Sequence, residues 1–97
     1  MSHYVIQGNF TDQGIKNIKD SPKRAEAFKS EVEKKGGKVI NLYYTLGKHD
    51  IIAIVEAPSD EALASVLYAT GRLGNVRTKT LKAFPMSEAA KIIEKLA

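Results

Sequence analysis

The sequence predicts an α/β domain of the α+β kind, in which one antiparallel sheet of four strands carries helices. Three observations predict this fold. The chain has 97 residues, which is enough for one hydrophobic core but not for two. Its residues are 43% apolar and 27% charged, as in ordinary globular proteins. Strand and helix patterns follow the order βαββαβ with one extra C-terminal helix, which is the order of a ferredoxin-like sandwich. We therefore expect a single domain over residues 1–97.

The first third of the chain predicts a strand followed by a helix. Residues 4–10 alternate in side-chain type and form the first strand candidate. Thr11 or Asp12 can cap a short helical turn after it. Ser21-Pro22 then places a capping hydroxyl and a proline at the start of a longer helix. Gly36-Gly37 ends that helix, because glycine readily adopts the positive-φ conformation found after helix C-termini.

A β-hairpin is predicted next, from strands over residues 38–46 and 50–56. Gly47 suits the first central position of a type II′ turn between them. The strand over residues 50–56 is apolar on both faces, and helices can cover only one face of a two-layer sandwich. We therefore expect a homo-oligomer, a dimer or a larger assembly, in which sheets pack face to face.

The remaining elements are one helix, the last strand and a short final helix. Ser59 caps the helix, which ends near Gly71 or Gly74. The fourth strand covers residues 75–84, and Ser87 caps the final helix after a proline. In this topology the first and third strands occupy the centre of the sheet.

Composition excludes several classes of site. Without cysteine the chain has no disulfide, thiolate nucleophile or cysteine zinc site. The two histidines, His3 and His49, lie on different strands without a ligand-spaced partner, so we predict no metal and no cofactor. The start resembles no signal peptide, and the longest apolar run is far shorter than the roughly 18 residues of a membrane span. A cytoplasmic location is expected.

Several segments together resemble the GYD-domain family of small bacterial and archaeal proteins, which is related to the dimeric α/β-barrel superfamily. The segments that carry the resemblance are residues 9–15, 17–22, 45–47 with Asp50, 56–58 and 74–84. The resemblance implies a ferredoxin-like fold and a dimeric α/β-barrel type of assembly. It implies no particular reaction. The family is named for a glycine, a tyrosine and an aspartate, and His49 stands at the tyrosine position.

The hairpin provides the first candidate site. His49 is a candidate catalytic acid or base, since imidazole is the usual proton-transfer group near neutral pH. Adjacent residues on a strand point to opposite faces, so an orienting partner for His49 is expected elsewhere than at Asp50. The alternative for His49 is a structural role at the end of the hairpin. Asp50 is a candidate ligand-binding residue, and its alternative role is to accept hydrogen bonds from turn amides.

Further ligand-binding candidates lie near the strand ends. They are Asn9, Tyr44 and Arg77. The segment from Ala62 to Ser87 contains four cations and no carboxylate, and its Arg77 guanidinium suits a carboxylate or phosphate. The same charges have a second interpretation, in which basic residues protect an exposed edge strand from pairing with other chains.

These features predict an oligomeric domain that binds a small polar or anionic ligand between the sheet and the helices. One alternative is a cofactor-independent isomerase or oxygenase that uses His49 as acid or base and Arg77 as an anion anchor. A second alternative is nucleic-acid binding, which the net charge of +4 suggests. The third strand disfavours it, because that strand presents isoleucine and valine where stacking aromatics are expected.

Overall fold

The computed structural model describes residues 1–97 and contains one sheet with four helices. The strands are β1 (Ser2–Phe10), β2 (Lys38–Tyr44), β3 (Ile51–Ala57) and β4 (Val76–Ala83). The helices are α1 (Asp12–Lys16), α2 (Ser21–Lys34), α3 (Asp60–Arg72) and α4 (Met86–Glu94), with a 3-10 turn over Ile18–Asp20. No helix is long and apolar enough to cross a bilayer.

The strand order in the sheet is β2-β3-β1-β4, and every neighbouring pair is antiparallel. The predicted ferredoxin-like topology, with the first and third strands in the centre, is therefore confirmed. Each βαβ connection joins two parallel strands that have one other strand between them. Such connections are right-handed, and α2 and α3 therefore pack on the same side of the sheet. We call this side the inner face.

The hydrophobic core lies on the inner face of the two central strands. Alternate residues of β1 and β3 point toward the helices because side chains alternate along a strand. Tyr4 and Ile6 of β1 stand opposite Val55 and Ala53 of β3. These side chains pack against buried residues of the helices, namely Val32, Leu63 and Val66. The core is therefore small and concentrated around the middle of the two central strands.

The opposite side of the sheet, which we call the open face, is not covered by α2 or α3. Val5 of β1 lies between Ile54 of β3 and Leu81 of β4 in the strand register. Leu81 is 52% exposed. Ile52 and Ile54 are on this face, whereas their neighbours Ala53 and Val55 are buried on the inner face. The strand β3 is therefore apolar on both sides.

Two of the predicted helix caps are correct and two are wrong. The Thr11 hydroxyl accepts from the Gly14 amide at 3.0 Å, and Ser59 accepts from the Ala62 amide at 3.1 Å. Ser21 does not cap α2: it is buried inside the first turn, after the cap Asp20. Ser87 does not cap α4, because Pro85 holds that position through its backbone carbonyl, which accepts from the Glu88 and Ala89 amides at 2.9 Å.

The predicted type II′ turn in the hairpin is also wrong. The amide of Thr45 donates to the carbonyl of Asp50 at 2.8 Å, which leaves four residues, Leu46 to His49, in the loop. The Thr45 hydroxyl closes this loop by donating to the His49 carbonyl at 2.6 Å. Gly47 still adopts a positive φ of 107°, so a glycine is needed there, but in a wider loop.

A buried tyrosine links the sheet to the start of α3. The Tyr4 hydroxyl donates a hydrogen bond to the Asp60 carboxylate. Burial raises the pKa of Tyr4, and the hydrogen bond to Asp60 raises it further. The same bond lowers the pKa of Asp60, with a smaller effect from Lys82. Around neutral pH, Tyr4 is therefore a neutral phenol and Asp60 a carboxylate, which are the two protonation states that this hydrogen bond requires.

Replacing Tyr4 with phenylalanine should lower the melting temperature by about 4–8 °C at neutral pH, because the bond is lost while the ring stays packed. The stabilisation from a carboxylate with a lowered pKa exists above its ordinary pKa and is lost as pH falls through the folded-state pKa. The difference in melting temperature between the wild-type protein and Tyr4→Phe should therefore disappear in strong acid. Thermal melts at neutral pH and near pH 2 measure both effects, with Tyr68→Phe as an exposed control. An unchanged melting temperature at neutral pH would contradict this role.

Candidate ligand-binding cleft

A cavity of about 560 Å³ lies between the inner face of the sheet and the helices α2 and α3. Its floor is formed by β1 and β3, with contributions from β2 and β4. Residues between Ser21 and Glu31 of α2 and the C-terminal end of α3 form its walls. Residues from all six elements line it, including Ile6, Gly8, Leu42, Ile51, Ala53, Ala25, Phe28, Thr70, Leu73 and Thr78. Several lining residues, among them Gly8, Ile51 and Val76, lie at the end of the sheet where β1 ends and β3 begins.

Small side chains keep this space open. Gly8 and Ala53 form part of the floor, and the helices contribute Ala25, Ala27 and Ala69. A β-carbon added at Gly8 would lie in ordinary contact with the Ile51 side chain, at 3.6 Å. The inner face is therefore well filled around Val55 but underfilled toward this end. An underfilled apolar space next to a packed core is the usual form of a ligand pocket.

Charged groups occur at the margins of the cleft. Arg24 of α2 donates to the backbone carbonyls of Asn17 at 3.1 Å and Gly14 at 3.4 Å. Glu31 of α2 accepts from the Lys34 ammonium at 3.3 Å. Arg72 of α3 forms no ion pair or side-chain hydrogen bond. One of the two guanidiniums is thus bound into the fold and the other is free.

Three of the predicted site residues come together at the end of β1. The His49 Nδ1 atom lies 3.0 Å from the Asn9 Oδ1 atom, and the Asn9 amide nitrogen donates to the Lys48 carbonyl at 2.7 Å. Asp50 accepts from the Phe10 amide at 2.9 Å, and its own amide donates to the Gly8 carbonyl at 2.9 Å. These bonds tie the hairpin loop to the central strand, and the ring of His49 is held by Asn9 rather than by Asp50.

The other two predicted residues lie on opposite sides of the sheet. The Tyr44 hydroxyl is 2.8 Å from the Ser21 hydroxyl, and Ser21 lines the cleft. Arg77 stands opposite Asn9 in the register of β1 and β4, which places it on the open face. None of the five predicted residues lines the cleft itself. Their roles in catalysis or binding remain predictions.

The sequence did not single out the residues that form the cleft. Ala25 and Phe28 recur at helical spacing on one side of α2, but such a stripe does not distinguish a filled core from an open cleft. In the sequence, Arg72 is only one of four cations in a segment without carboxylates. The one usable signal was the number of alanines on the inner sides of α2 and α3, which are too small to fill the space above a sheet.

Known proteins share this architecture. The glutamine synthetase and cystathionine beta-lyase binding protein of Thermus thermophilus is 28% identical over 91% of this chain and 94% of that protein. The feast or famine regulatory protein of Mycobacterium tuberculosis, solved with L-methionine, superposes with a TM-score of 0.66 and 20% identity. The match covers 89% of this chain and 52% of the regulator, so this chain spans about half the length of that protein.

A second solved protein matches over nearly its whole length. It also comes from Thermus thermophilus and superposes with a TM-score of 0.56, at 23% identity over 88% of this chain and 95% of that protein. The structural matches establish the fold. The family model of the GYD domain matches residues 4–93. The chain therefore belongs to the GYD-domain family, as its sequence motifs indicated.

Proposed function

We propose that this protein is a ligand-binding domain that takes a small polar or anionic molecule into the cleft between the sheet and α2 and α3. The observation that carries the proposal is the cavity of about 560 Å³ beside a packed core. Ligand pockets typically measure roughly 300–1,000 Å³ and are mostly apolar with a few polar groups that orient the ligand. Here Phe28, Leu42 and Ile51 provide apolar surface, and Ser21 and Thr70 provide hydroxyls.

The relatives suggest a regulatory context for such binding. The Mycobacterium tuberculosis regulator with the same fold is solved with L-methionine. The Thermus thermophilus relative is named for binding two enzymes, glutamine synthetase and cystathionine beta-lyase. We propose by analogy that this chain binds a small metabolite in the cytoplasm and passes that signal on through protein contacts.

We also propose that the protein is a homo-oligomer whose sheets pack through their open faces. The open face carries Val5, Ile52, Ile54 and Leu81 in adjacent register positions. The C-terminal segment also exposes apolar side chains, at Phe84, Met86, Ile92 and Ile93. A patch of this kind on a small domain favours association, since burying apolar surface is the main driving force for protein contacts.

Blocking the cleft should abolish ligand uptake. The variant Ala25→Phe places an aromatic ring in the cavity, and it should weaken binding of the neutral probe N-phenyl-1-naphthylamine by about ten-fold or more, since a filled pocket cannot bury the ligand. Fluorescence titration measures the affinity. The control is Ser30→Phe, which adds the same ring to an exposed position of the same helix outside the cleft.

The wild-type protein and the control should give the same saturable increase in probe fluorescence. Equal probe affinity in Ala25→Phe and the wild-type protein would contradict a binding function for the cleft. Circular dichroism of each variant shows that the compared proteins are folded.

A further inference from the structure

We infer that the cleft selects amphipathic anions: molecules with an apolar aromatic or aliphatic body and one anionic head group, which Arg72 binds at the cleft margin. This inference rests on the proposed binding function and names its ligand class. It also assigns the anion-binding role to a residue on the inner face, whereas the sequence had suggested Arg77 for that role.

The position of Arg72 is the first reason. It is the last residue of α3, it is exposed, and it lines the cavity. Several other cations of this protein are already paired: Lys29 with Glu26 at 3.7 Å, Lys34 with Glu31 at 3.3 Å and Lys82 with Asp60 at 3.4 Å. Arg72 has no such partner. Its guanidinium presents five N–H donors in a planar fork that matches a carboxylate, sulfonate or phosphate.

The charges around the cleft also favour an anionic ligand. Two guanidiniums and a single carboxylate line the cavity, and that carboxylate, Glu31, is bound to Lys34. No carboxylate occurs between Ala62 and Ser87, so nothing on the neighbouring chain segment competes for Arg72. Arg24 adds positive charge on the opposite wall while its terminal nitrogens hold the backbone of Asn17 and Gly14. An anion entering the cleft therefore finds one free guanidinium and a favourable field.

The lining also requires an apolar body. Leu73, next to Arg72, lines the cavity and is 64% exposed, and Phe28 and Ile51 lie deeper in the same space. A bare inorganic anion would leave these side chains facing water and would gain only one charged contact. A ligand that fills the cleft gains the burial of the whole apolar lining in addition. The arrangement thus favours molecules that combine both properties.

A simpler role for Arg72 makes a different prediction. A cation in the last turn of a helix interacts favourably with the helix dipole, and this alone can explain an arginine at the end of α3. In that case, removal of Arg72 would change stability slightly and would leave ligand affinity unchanged. Affinity for an anion, compared with affinity for its neutral analogue, separates the two roles.

The test uses two fluorescent probes that differ by one anionic group: 8-anilinonaphthalene-1-sulfonate and the neutral N-phenyl-1-naphthylamine. Arg72→Ala should weaken binding of the sulfonate by about ten-fold or more, as expected for loss of a charge-assisted hydrogen bond, and should leave the neutral probe within two-fold. Arg72→Lys should retain part of the affinity, since it keeps the charge but not the fork. Lys91→Ala, at an exposed cation of α4 outside the cleft, is the control and should change neither affinity.

Only the sulfonate signal that Ala25→Phe removes is assigned to the cleft, because the probe also binds other apolar surfaces. If Arg72→Ala binds the sulfonate within two-fold of the wild-type affinity, the inference is overturned, while saturable binding of the neutral probe leaves the binding function intact. If the wild-type protein binds neither probe in the cleft, the proposed function itself fails.

Discussion

Replacing Gly14 with alanine should destabilise this protein by about 3 kcal/mol and lower its melting temperature by roughly 12 °C or more. Gly14 is buried in α1, against the segment that leads into β4. A β-carbon there would overlap the carbonyl oxygen of Asn75 and lie 2.8 Å from its carbonyl carbon. The neighbouring atoms are backbone, so they cannot turn aside as a flexible side chain would.

The surrounding hydrogen bonds explain why the clash cannot be relieved cheaply. The Asn75 carbonyl accepts from the Thr11 amide at 3.1 Å, and the Thr11 hydroxyl donates to the Gly74 carbonyl at 2.6 Å. The Gln13 side chain donates to the Leu73 carbonyl at 3.1 Å. Moving α1 away to admit a methyl group would stretch all of these bonds together.

Urea denaturation and thermal melts measure this effect. The matched control is Gly71→Ala in α3, where a β-carbon meets nothing within 4 Å. That substitution should stabilise the protein by roughly 0.5–1 kcal/mol, because alanine favours the helix over glycine. A Gly14→Ala variant within about 1 kcal/mol of the wild-type stability would show that α1 does not pack tightly against the start of β4.

A charge in the centre of the open face should convert the protein from an oligomer to a monomer. Ile54 lies on this face between Val5 and Asn41 in the register of the sheet. In Ile54→Lys, face-to-face packing of two sheets would bury two unpaired ammonium groups, which costs several kcal/mol and should weaken association by about a hundred-fold or more.

Multi-angle light scattering at micromolar concentration decides this prediction. The wild-type protein should have a mass of at least twice the 10.6 kDa of one chain, and Ile54→Lys should run at the mass of one chain. Tyr68→Lys serves as control, since Tyr68 is 78% exposed on α3, outside the open face, and its replacement should leave the assembly intact. A monomeric wild-type protein, or an Ile54→Lys variant that remains oligomeric, would refute assembly through this face.

Local patterns predicted the elements well, and they failed where a distant residue decides the local structure. Ser21 followed by proline has the form of a helix cap, yet the Ser21 hydroxyl is engaged by Tyr44 of β2, 23 residues away. The hairpin loop is wider than a two-residue turn because Thr45 and Asp50 close it, and Asp50 also bonds to β1. The bond between Ser21 and Tyr44 joins residues 23 positions apart, and the bond between Asp50 and Phe10 joins residues 40 positions apart, so no short stretch of sequence contains either contact.

The candidate site shows the same limit more strongly. His49, Asp50 and Asn9 have side chains suited to catalysis or binding, but in the fold their hydrogen bonds fasten the hairpin to β1. The cleft is instead built from small and apolar residues that resemble ordinary core positions in the sequence. Arg72 is the unpaired cation of the cleft, and this is known only from the hydrogen bonds and ion pairs that the other charged groups form in the fold.

The sequence by itself determined the order of the strands and helices, the two apolar faces of β3 and the family. These properties follow from side-chain periodicity and from short motifs, which act over a few neighbouring residues. Only the tertiary structure decided that α2 and α3 leave a cavity of about 560 Å³ above the sheet, and that Arg72 lies on it while Arg77 lies on the opposite side. A cavity depends on how far packed elements stand apart, and that distance is set by contacts between residues far apart in the chain.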